Sequence, residues 1–335
     1  MGRRRAWRTH PRVPNLLESK YHSVRDRWVT SYLSLGIRVK LANASVPVSV
    51  VISSFEEGEQ LAETVKSVLL GSYTPLEIII VDDGSTDGSC ERDWPLNVRL
   101  LRQQHAGIAR ARNAGAEIAH QPVLVFLDAH CTVERSWLLP LLRVLESEPE
   151  ALVGPAVRDA REPRYIGCGA EIVDAVFTYR WCHVNGPGVR EVGIVPGGCL
   201  AIRRECFVSG GGFGPFHEYG LEDVDLALRW WRAGRPLLGV AESQVGHRFR
   251  VNAPYKAEQQ AWVENVLRTA LRHLGGEQLQ SCVLLCSHLP TFNAAIAAVL
   301  AEPWISAREQ IVKAERRTID SYIEHWAPRA YQRSL

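Results

Sequence analysis

The chain has 335 residues, of which 46% are hydrophobic and 23% charged, and a formal net charge of +2 at neutral pH. This is the composition of an ordinary globular protein with enough residues to bury a full core, and the chain has neither internal repeats nor low-complexity segments. Five arginines lie between Gly2 and Arg12, which is typical of a solvated basic terminus. We assign this arm no chemistry and expect no nucleic-acid partner.

The sequence contains no apolar segment suited to targeting or membrane insertion. The residues after the arginines are polar and broken by prolines, unlike a signal peptide, and stretches such as Phe292 to Leu300 are shorter than the roughly 20 residues that span a bilayer. The eight cysteines form no CxxC pair, so we expect buried thiols. These features predict a soluble, cytoplasmic protein without a transmembrane segment.

Helical periodicity from about residue 15 to 40 predicts one or two leading helices, so residues 1–45 are expected to form the basic arm and these helices. From Val46 onward, short β-branched runs alternate with helical stretches. The predicted strands are Val48–Ile52, Leu76–Val81, Asn97–Leu101 and Val123–Leu127, and the predicted helices are Glu59–Leu70 and Ile108–Ala119. Such alternation predicts an α/β fold with a doubly wound, mostly parallel sheet.

The second half of the chain predicts fewer strands and more helices. The predicted elements are a helix at Trp137–Glu146, a strand at Leu152–Val157, an irregular aromatic-rich stretch at Pro163–Gly193, a strand at Val195–Ile202, a helix at Gly220–Ala233 and a strand at Leu237–Val245. Beyond Pro254 the pattern is helical to about Trp326. We therefore expect a catalytic domain at residues 46–253 and a helical C-terminal region at 254–335. Its helices could contact a peptide, a protein or a second subunit in a homo-oligomer, or could pack on the core.

Polar residues follow the first two predicted strands. Asp82 and Asp83 come directly after the second strand, where a carboxylate can bind a ribose or a base N–H, although Asp-Gly and Ser-Thr-Asp are also ordinary turn sequences. The loop after the first strand, which contains Ser54 and Glu56, lacks the GxGxxG pattern of dinucleotide-binding folds. A nucleotide would therefore not be held as it is in a dehydrogenase.

A carboxylate and an imidazole lie two residues apart where the fourth predicted strand ends. Asp128 and His130 would point to the same side of the strand end, and together they offer the mixed oxygen and nitrogen ligands that suit Mn²⁺. His247, in a glycine-flanked turn after another strand-like run, is the best candidate for a third ligand. A lone histidine is more often structural, but its position favours a metal site.

Three acids, Glu222, Asp223 and Asp225, lie at the start of a predicted helix. The helix dipole favours acids there, and capping alone could explain one of them. Three acids are more than capping of the helix requires. A buried carboxylate at a helix start beside a pocket could act as a general base.

Five motifs in this order resemble GT-A glycosyltransferases of family 2. They are Val48-Ser-Val-Val-Ile, Val81-Asp-Asp-Gly-Ser, Gly107-Ile-Ala-Arg-Ala-Arg-Asn113, Phe126-Leu-Asp-Ala-His and Gly220-Leu-Glu-Asp-Val-Asp225. The variant Phe126-Leu-Asp-Ala-His-Cys, with Pro196-Gly-Gly and Val245-Gly-His-Arg-Phe-Arg, is similar to polypeptide N-acetylgalactosaminyltransferases in particular. The resemblance implies a GT-A fold over roughly Val46 to Arg250.

The resemblance also implies roles for individual residues. In that group an Asp, a His and a distant His bind Mn²⁺, which implies that Asp128, His130 and His247 bind Mn²⁺ or Mg²⁺ here. The implied nucleotide-sugar-binding residues are Ser54, Glu56, Asp82, Asp83, Arg112, Asp128, Gly197 and Gly198. Ser54, Glu56 and Asp83 would surround the uracil and ribose of a UDP-sugar, and Arg112 would approach its diphosphate. The acceptor would be a peptide, a protein or a small molecule.

The implied stereochemistry depends on the pair Glu222 and Asp223. In family 2 enzymes the Asp of a Glu-Asp pair is the base for inverting displacement, and Asp223 occupies that position. The N-acetylgalactosaminyltransferases retain configuration and carry Glu-Asn there, so retention is the alternative. The Gln-x-x-Arg-Trp motif of processive synthases is missing, which favours single-sugar transfer. The sequence also allows a nucleotidyltransferase, or a binding protein on a degenerate transferase fold.

Overall fold

The computed structural model describes residues 46–331 apart from 161, 163–165, 185, 251–257 and 329. The predicted basic arm and leading helices at 1–45 lie outside the described residues. Among the described residues, no helix is long and apolar enough to cross a membrane.

Eleven β-strands in the described part of the chain form one sheet. They are β1 (Val48–Ser54), β2 (Glu77–Asp82), β3 (Val98–Arg102), β4 (Val123–Asp128), β5 (Cys131–Val133), β6 (Leu152–Asp159), β7 (Ile166–Ile172), β8 (Tyr179–His183), β9 (Val189–Glu191), β10 (Cys199–Arg203) and β11 (Leu237–His247). Strands β1, β2 and β4 are buried along their whole length, as their apolar sequences require.

The helices pack on both faces of the sheet and, after β11, on one another. They are α1 (Gln60–Leu69), α2 (Ile108–Ile118), α3 (Leu138–Ser147), α4 (Arg204–Ser209), α5 (Glu222–Arg232), α6 (Gln259–His273), α7 (Gly276–Ser287), α8 (Phe292–Leu300), α9 (Trp304–Lys313) and α10 (Ile319–Trp326). The strand and helix predictions before residue 160 agree with these bounds to within a few residues. The helical C-terminal region is present.

The sheet is mixed, with strand order β3-β2-β1-β4-β10-β6-β11-β5. Strands β3, β2, β1 and β4 are mutually parallel, as are β6 and β11, but β10 runs antiparallel to both β4 and β6. The expectation of a mostly parallel sheet therefore holds for its first half only. Because the parallel half presents its carboxyl ends at one edge, loops after β1, β2 and β4 meet there.

The prediction that residues 163–193 are irregular is wrong, because β7, β8 and β9 lie in this stretch. Its glycines resemble loop residues in the sequence, yet some serve close packing within the sheet. A Cβ at Gly167 would lie 2.7 Å from the Cβ of Trp181, so glycine is needed where β7 passes β8. Conversely, the predicted strand at 195–202 begins only at Cys199, because Pro196-Gly197-Gly198 forms a turn.

The helices after β11 share their apolar core with the sheet. One cluster of buried residues includes Leu200 of β10, Val224 of α5, Val263 of α6, Cys282 of α7 and Tyr322 of α10. A second cluster fills the opposite face, between the sheet and helices α1 and α3. The eight cysteines are unpaired thiols and all except the half-buried Cys182 are buried, largely as expected. Whether the boundary between residues 253 and 254 separates two domains stays a prediction.

Candidate active site

Strand pairing brings Asp128, His130 and His247 together. Asp128 is the last residue of β4, His130 is in the following turn, and His247 ends β11, where it pairs with Cys131 of β5. One ligand atom from each of the three side chains lies within 4.8 Å of the other two. The structure thus brings together residues that are more than a hundred positions apart in sequence.

Asp128 has one engaged and one available carboxylate oxygen. Its Oδ1 accepts a hydrogen bond of 2.7 Å from Nη2 of the buried Arg112. Burial alone would raise the pKa of Asp128, but the guanidinium of Arg112 outweighs it and holds that pKa well below its usual range. The other oxygen, Oδ2, lies 3.5 Å from Nε2 of His247. Asp128 is therefore a permanent carboxylate with an oxygen facing both histidines.

His247 is held as a neutral imidazole. Burial lowers the pKa of His247 below its ordinary value, and the neighbouring His130 also disfavours a second positive charge. Its buried Nδ1 has no hydrogen-bond partner among the residues that the structure describes. The neutral ring is the form that binds metal ions.

Gly197 and Gly198 line the same pocket, where an added side chain would be crowded. A Cβ at Gly197 would lie 2.6 Å from Nη1 of Arg112. At Gly198 it would lie 3.2 Å from both Oδ2 of Asp128 and Cδ2 of His247. The turn between β9 and β10 therefore passes close to Asp128 and His247.

Arg112 on α2 links the two halves of the site. Besides Asp128, it donates hydrogen bonds of 2.8 Å from Nη1 to Oε1 of Glu222 and from Nη2 to the carbonyl of Gly197. Burial would lower the pKa of Arg112, but the two carboxylates outweigh this and raise it, so the guanidinium stays charged. Arg112 lines the pocket, but its charge is already shared between Asp128 and Glu222.

The chain enters helix α5 through a left-handed residue, Leu221, at φ 70°. This turn places Glu222 and Asp223 at the pocket wall. The carboxylate of Glu222 accepts from Arg112 and, at 3.1 Å, from the backbone N–H of Gly220. Burial, reinforced by the charge of Asp223, raises the pKa of Glu222.

Asp223 lines the pocket together with Glu222. Its Oδ2 accepts a 2.9 Å hydrogen bond from the backbone N–H of Gly197 and lies 3.5 Å from the hydroxyl of Tyr179. Burial raises the pKa of Asp223, which makes the carboxylate a stronger base than an exposed one. Asp225, two residues further along, is instead fully buried and does not line the pocket.

Aromatic side chains form the outer wall of the pocket. Tyr179 and Trp181 come from β8, Tyr219 precedes α5, and Phe249 follows β11. Phe177, which belongs to the same aromatic-rich stretch of the sequence, is instead buried in the core. Tyr219 and Phe249 were not predicted, because a single aromatic residue in a loop carries no periodic signal.

Ser54, Glu56, Asp82 and Asp83 lie at the carboxyl ends of β1 and β2, outside the wall of this pocket. The two oxygens of Asp83 accept from the backbone N–H groups of Ala106 and Gly107, and Oδ1 also accepts from Gln103. The other three residues make local contacts: Glu56 accepts from Thr86, Asp82 accepts from the backbone of Ser85, and Ser54 contacts the thiol of Cys90. These residues shape the loops next to the candidate ligands, and their role in nucleotide binding stays a prediction.

Comparison with known proteins relates this site to one group of enzymes. The family model described as glycosyl transferase family 2 matches residues 49–176, which contain Asp128 and His130. Polypeptide N-acetylgalactosaminyltransferase 4 of Caenorhabditis elegans is 32% identical over 231 residues, covering 62% of this chain and 39% of that protein. Polypeptide N-acetylgalactosaminyltransferase 11 of Xenopus tropicalis is 33% identical over 233 residues, with the same coverage.

The similar proteins include one described as inactive. The inactive polypeptide N-acetylgalactosaminyltransferase-like protein 5 of Mus musculus is 32% identical over 251 residues, covering 67% of this chain and 58% of that protein. The chain spans about two fifths of the length of the first two relatives.

The fold matches a solved structure over most of the chain. A crystal structure of GalNAc-T7 with UDP, GalNAc and Mn²⁺ superposes with a TM-score of 0.69 at 22% identity, covering 86% of this chain and 57% of that one. The match confirms the predicted fold class. Residues 49–176 match the glycosyl transferase family 2 model, and the fold resembles that of the GalNAc-T7 structure.

Proposed function

We propose that this protein is a metal-dependent glycosyltransferase that moves a single sugar from a UDP-sugar to an acceptor. One observation carries the proposal. Asp128 and His247, which form a candidate metal site with His130, line one pocket together with the buried carboxylates Glu222 and Asp223, and Arg112 pairs with both Asp128 and Glu222. The solved GalNAc-T7 structure, which contains UDP and Mn²⁺, supports the choice of donor and ion.

The residues fit a divalent cation such as Mn²⁺ or Mg²⁺. Asp128 offers Oδ2, His247 is a neutral imidazole, and the Gly198 turn leaves no side chain over either. One carboxylate oxygen and two imidazole nitrogens are a donor set that suits Mn²⁺ better than Mg²⁺. When bound, the ion would neutralise the charge that develops on the leaving diphosphate.

Different residues of the protein would contact different parts of the UDP-sugar. The nucleoside would lie at the ends of β1 and β2, near Ser54, Glu56, Asp82 and Asp83. Asp83 would act mainly by holding the Ala106-Gly107 turn, since both of its oxygens already accept backbone hydrogen bonds. Arg112 would keep Asp128 charged and would hold the carboxyl groups of Asp128 and Glu222 in position.

We assign Asp223 as the general base of an inverting displacement. Its carboxylate lines the pocket, is oriented by the N–H of Gly197, and has a raised pKa caused by burial. Glu222 is less suited to this role because Arg112 and the Gly220 N–H hold its two oxygens. The aromatic wall formed by Tyr179, Trp181, Tyr219 and Phe249 would contact the acceptor.

Retention of configuration is the second candidate, favoured by the similarity to N-acetylgalactosaminyltransferases. The substitution Asp223→Asn separates the two mechanisms, because it restores the Glu-Asn pair that the resemblance associates with retention. An inverting enzyme should lose transfer at least about 100-fold while UDP binding stays within about twofold, in line with the loss of a general base. A retaining enzyme should keep most of its turnover. NMR of the anomeric proton of the product shows independently whether the configuration is inverted or retained.

The acceptor is proposed to be a peptide or protein, on the same similarity, with a small molecule as the alternative. The first experiment needs no acceptor. Slow release of UDP is measured from a panel of UDP-sugars with Mn²⁺, with Mg²⁺ and with chelator, using Asp128→Asn as the inactive control. Release that chelator abolishes would support the proposal, whereas binding of UDP-sugar without turnover would favour a binding protein.

The remaining expectations stay predictions. The comparisons favour a sugar transferase over the nucleotidyltransferase alternative. We retain the cytoplasmic location and the formation of a homo-oligomer through the C-terminal helices as proposals. Cell fractionation and light scattering, respectively, would test them.

A further inference from the structure

We propose that Glu57 is a positioning residue that fixes both histidines of the metal site. This inference rests on the metal site of the proposed function. Glu57 lies in the loop between β1 and α1 and is not itself one of the candidate ligands. Although most loop glutamates are solvated, only 8% of this residue is exposed.

The loop backbone turns Glu57 toward the sheet. The residues on either side, Glu56 and Gly58, are both left-handed, with φ angles of 53° and 55°. Glu56 is a non-glycine residue in this region, which is uncommon and is maintained only where the surroundings stabilise it. Here Thr86 holds its carboxylate with two hydrogen bonds of 2.7 and 2.9 Å.

One oxygen of Glu57 contacts the first histidine. Oε1 lies 3.1 Å from Nδ1 of His130. A carboxylate accepts only, so Nδ1 must carry the proton, and Nε2 keeps the lone pair that a metal ion needs. Metal-binding histidines commonly have such a carboxylate behind them, which fixes the tautomer and the ring orientation.

The other oxygen of Glu57 contacts the segment that carries the second histidine. Oε2 pairs with the guanidinium of Arg250, three residues after His247. The backbone N–H of Arg248 also donates to the carbonyl of His130, at 3.2 Å. One buried carboxylate therefore joins the turn after β4 to the end of β11, which are the two segments that supply the imidazoles.

Helix α1 also contacts the turn after β4 that carries His130. The buried Thr64 donates a 2.8 Å hydrogen bond to the carbonyl of Ala129, between Asp128 and His130. The backbone N–H of Gln60, the first residue of this helix, also donates to the carbonyl of Glu57. The orientation of His130 is thus fixed from its ring and from its backbone.

The test compares Glu57→Ala and Glu57→Gln with a matched control, Glu59→Gln. Glu59 lies two residues away, but its side chain is 78% exposed and pairs with Arg92. The Kd for Mn²⁺ is measured by electron paramagnetic resonance of free Mn²⁺ at saturating UDP. We expect Glu57→Ala to weaken Mn²⁺ binding by about 10–100-fold, Glu57→Gln to weaken it less, and the control to match the wild type.

A second readout needs neither metal nor activity. In metal-free protein with ¹⁵N-labelled histidine, the wild-type His130 should give a single Nδ1–H tautomer, and Glu57→Ala should give a mixture. A glutamate that served only the stability of the loop would lower the Tm without changing the Kd or the tautomer. If Glu57→Ala does not fold, Glu57→Gln, which keeps one acceptor oxygen, carries the test.

The outcomes separate this inference from the function on which it rests. If the wild type binds Mn²⁺ and Glu57→Ala binds it equally tightly, the positioning role is wrong while the metal site stands. If the wild type binds no Mn²⁺ in the presence of UDP, the metal site of the proposed function is wrong, and the positioning role fails with it.

Discussion

The buried pair of His273 and Asp225 should make the stability of the protein depend on pH. His273 on α6 has no exposed surface, and its Nε2 lies 3.0 Å from Oδ1 of Asp225. Burial lowers the pKa of His273 from 6.5 to about 4, although Asp225 opposes the shift. Arg272 and Arg232, which also face the ring, further disfavour its protonation.

The difference between the pKa of His273 in the folded and unfolded states determines the direction and the size of this pH dependence. In the unfolded chain His273 takes up a proton below its ordinary pKa of 6.5, whereas in the folded protein it stays neutral down to about pH 4. The folded state is therefore favoured above pH 6.5 and loses stability as the pH falls from 6.5 toward 4. At about 1.4 kcal/mol per pKa unit, this single group should cost about 2 kcal/mol between about pH 7 and pH 5.

Urea unfolding of the wild type and of His273→Gln at about pH 7 and pH 5 measures this cost. Glutamine cannot titrate, and its amide can still donate to Asp225, so the variant should lose about 2 kcal/mol less than the wild type over this range. Subtracting the loss in the variant from the loss in the wild type removes the contribution of the other histidines, which is the same in both proteins. Equal losses in the two proteins would refute the reasoning, because they would mean that His273 titrates alike in both states.

Three further predictions concern the site itself. Arg112→Gln leaves two buried carboxylates without their counter-ion and should reduce the free energy of unfolding by about 3 kcal/mol or more in the presence of chelator, measured in urea. Gly198→Ala should weaken Mn²⁺ binding while leaving the Tm within a few degrees, because the added Cβ meets Asp128 and not the core. Asn265→Ala should lower kcat more than it changes the Kd for UDP, because Asn265 holds the backbone of residues 217 and 220 before the catalytic helix; an unchanged kcat would contradict this.

The sequence predicted those parts of the site that lie where strong strands end. Asp128 and His130 follow a run of buried strand residues, and the two acids of α5 begin a helix with clear periodicity. Such local signals fix the element and the face on which a side chain lies. The parallel half of the sheet was predictable for the same reason.

Contacts between distant segments could not be predicted in this way. Glu57 resembles any loop glutamate in the sequence, and only the fold shows that Arg250 meets it. The role of Arg112 is similar, because the motif indicates a cation near the site but not that two carboxylates already hold it. The strands between residues 166 and 191 were missed because glycines needed for close packing look like loop residues.

The Asp225 cluster makes the catalytic helix dependent on the chain that follows it. Asp225 has no exposed surface, and of the three cations or donors around it, Arg272 and His273 belong to α6. Before α6 packs against α5, a buried Asp225 would have Arg229 as its one counter-ion among these three groups. Helix α5, and with it Asp223, should therefore reach its final position only late in folding, after synthesis has passed residue 273. Protection of the α5 amides in pulsed hydrogen exchange should then appear together with that of α6, and not with that of the earlier parallel strands.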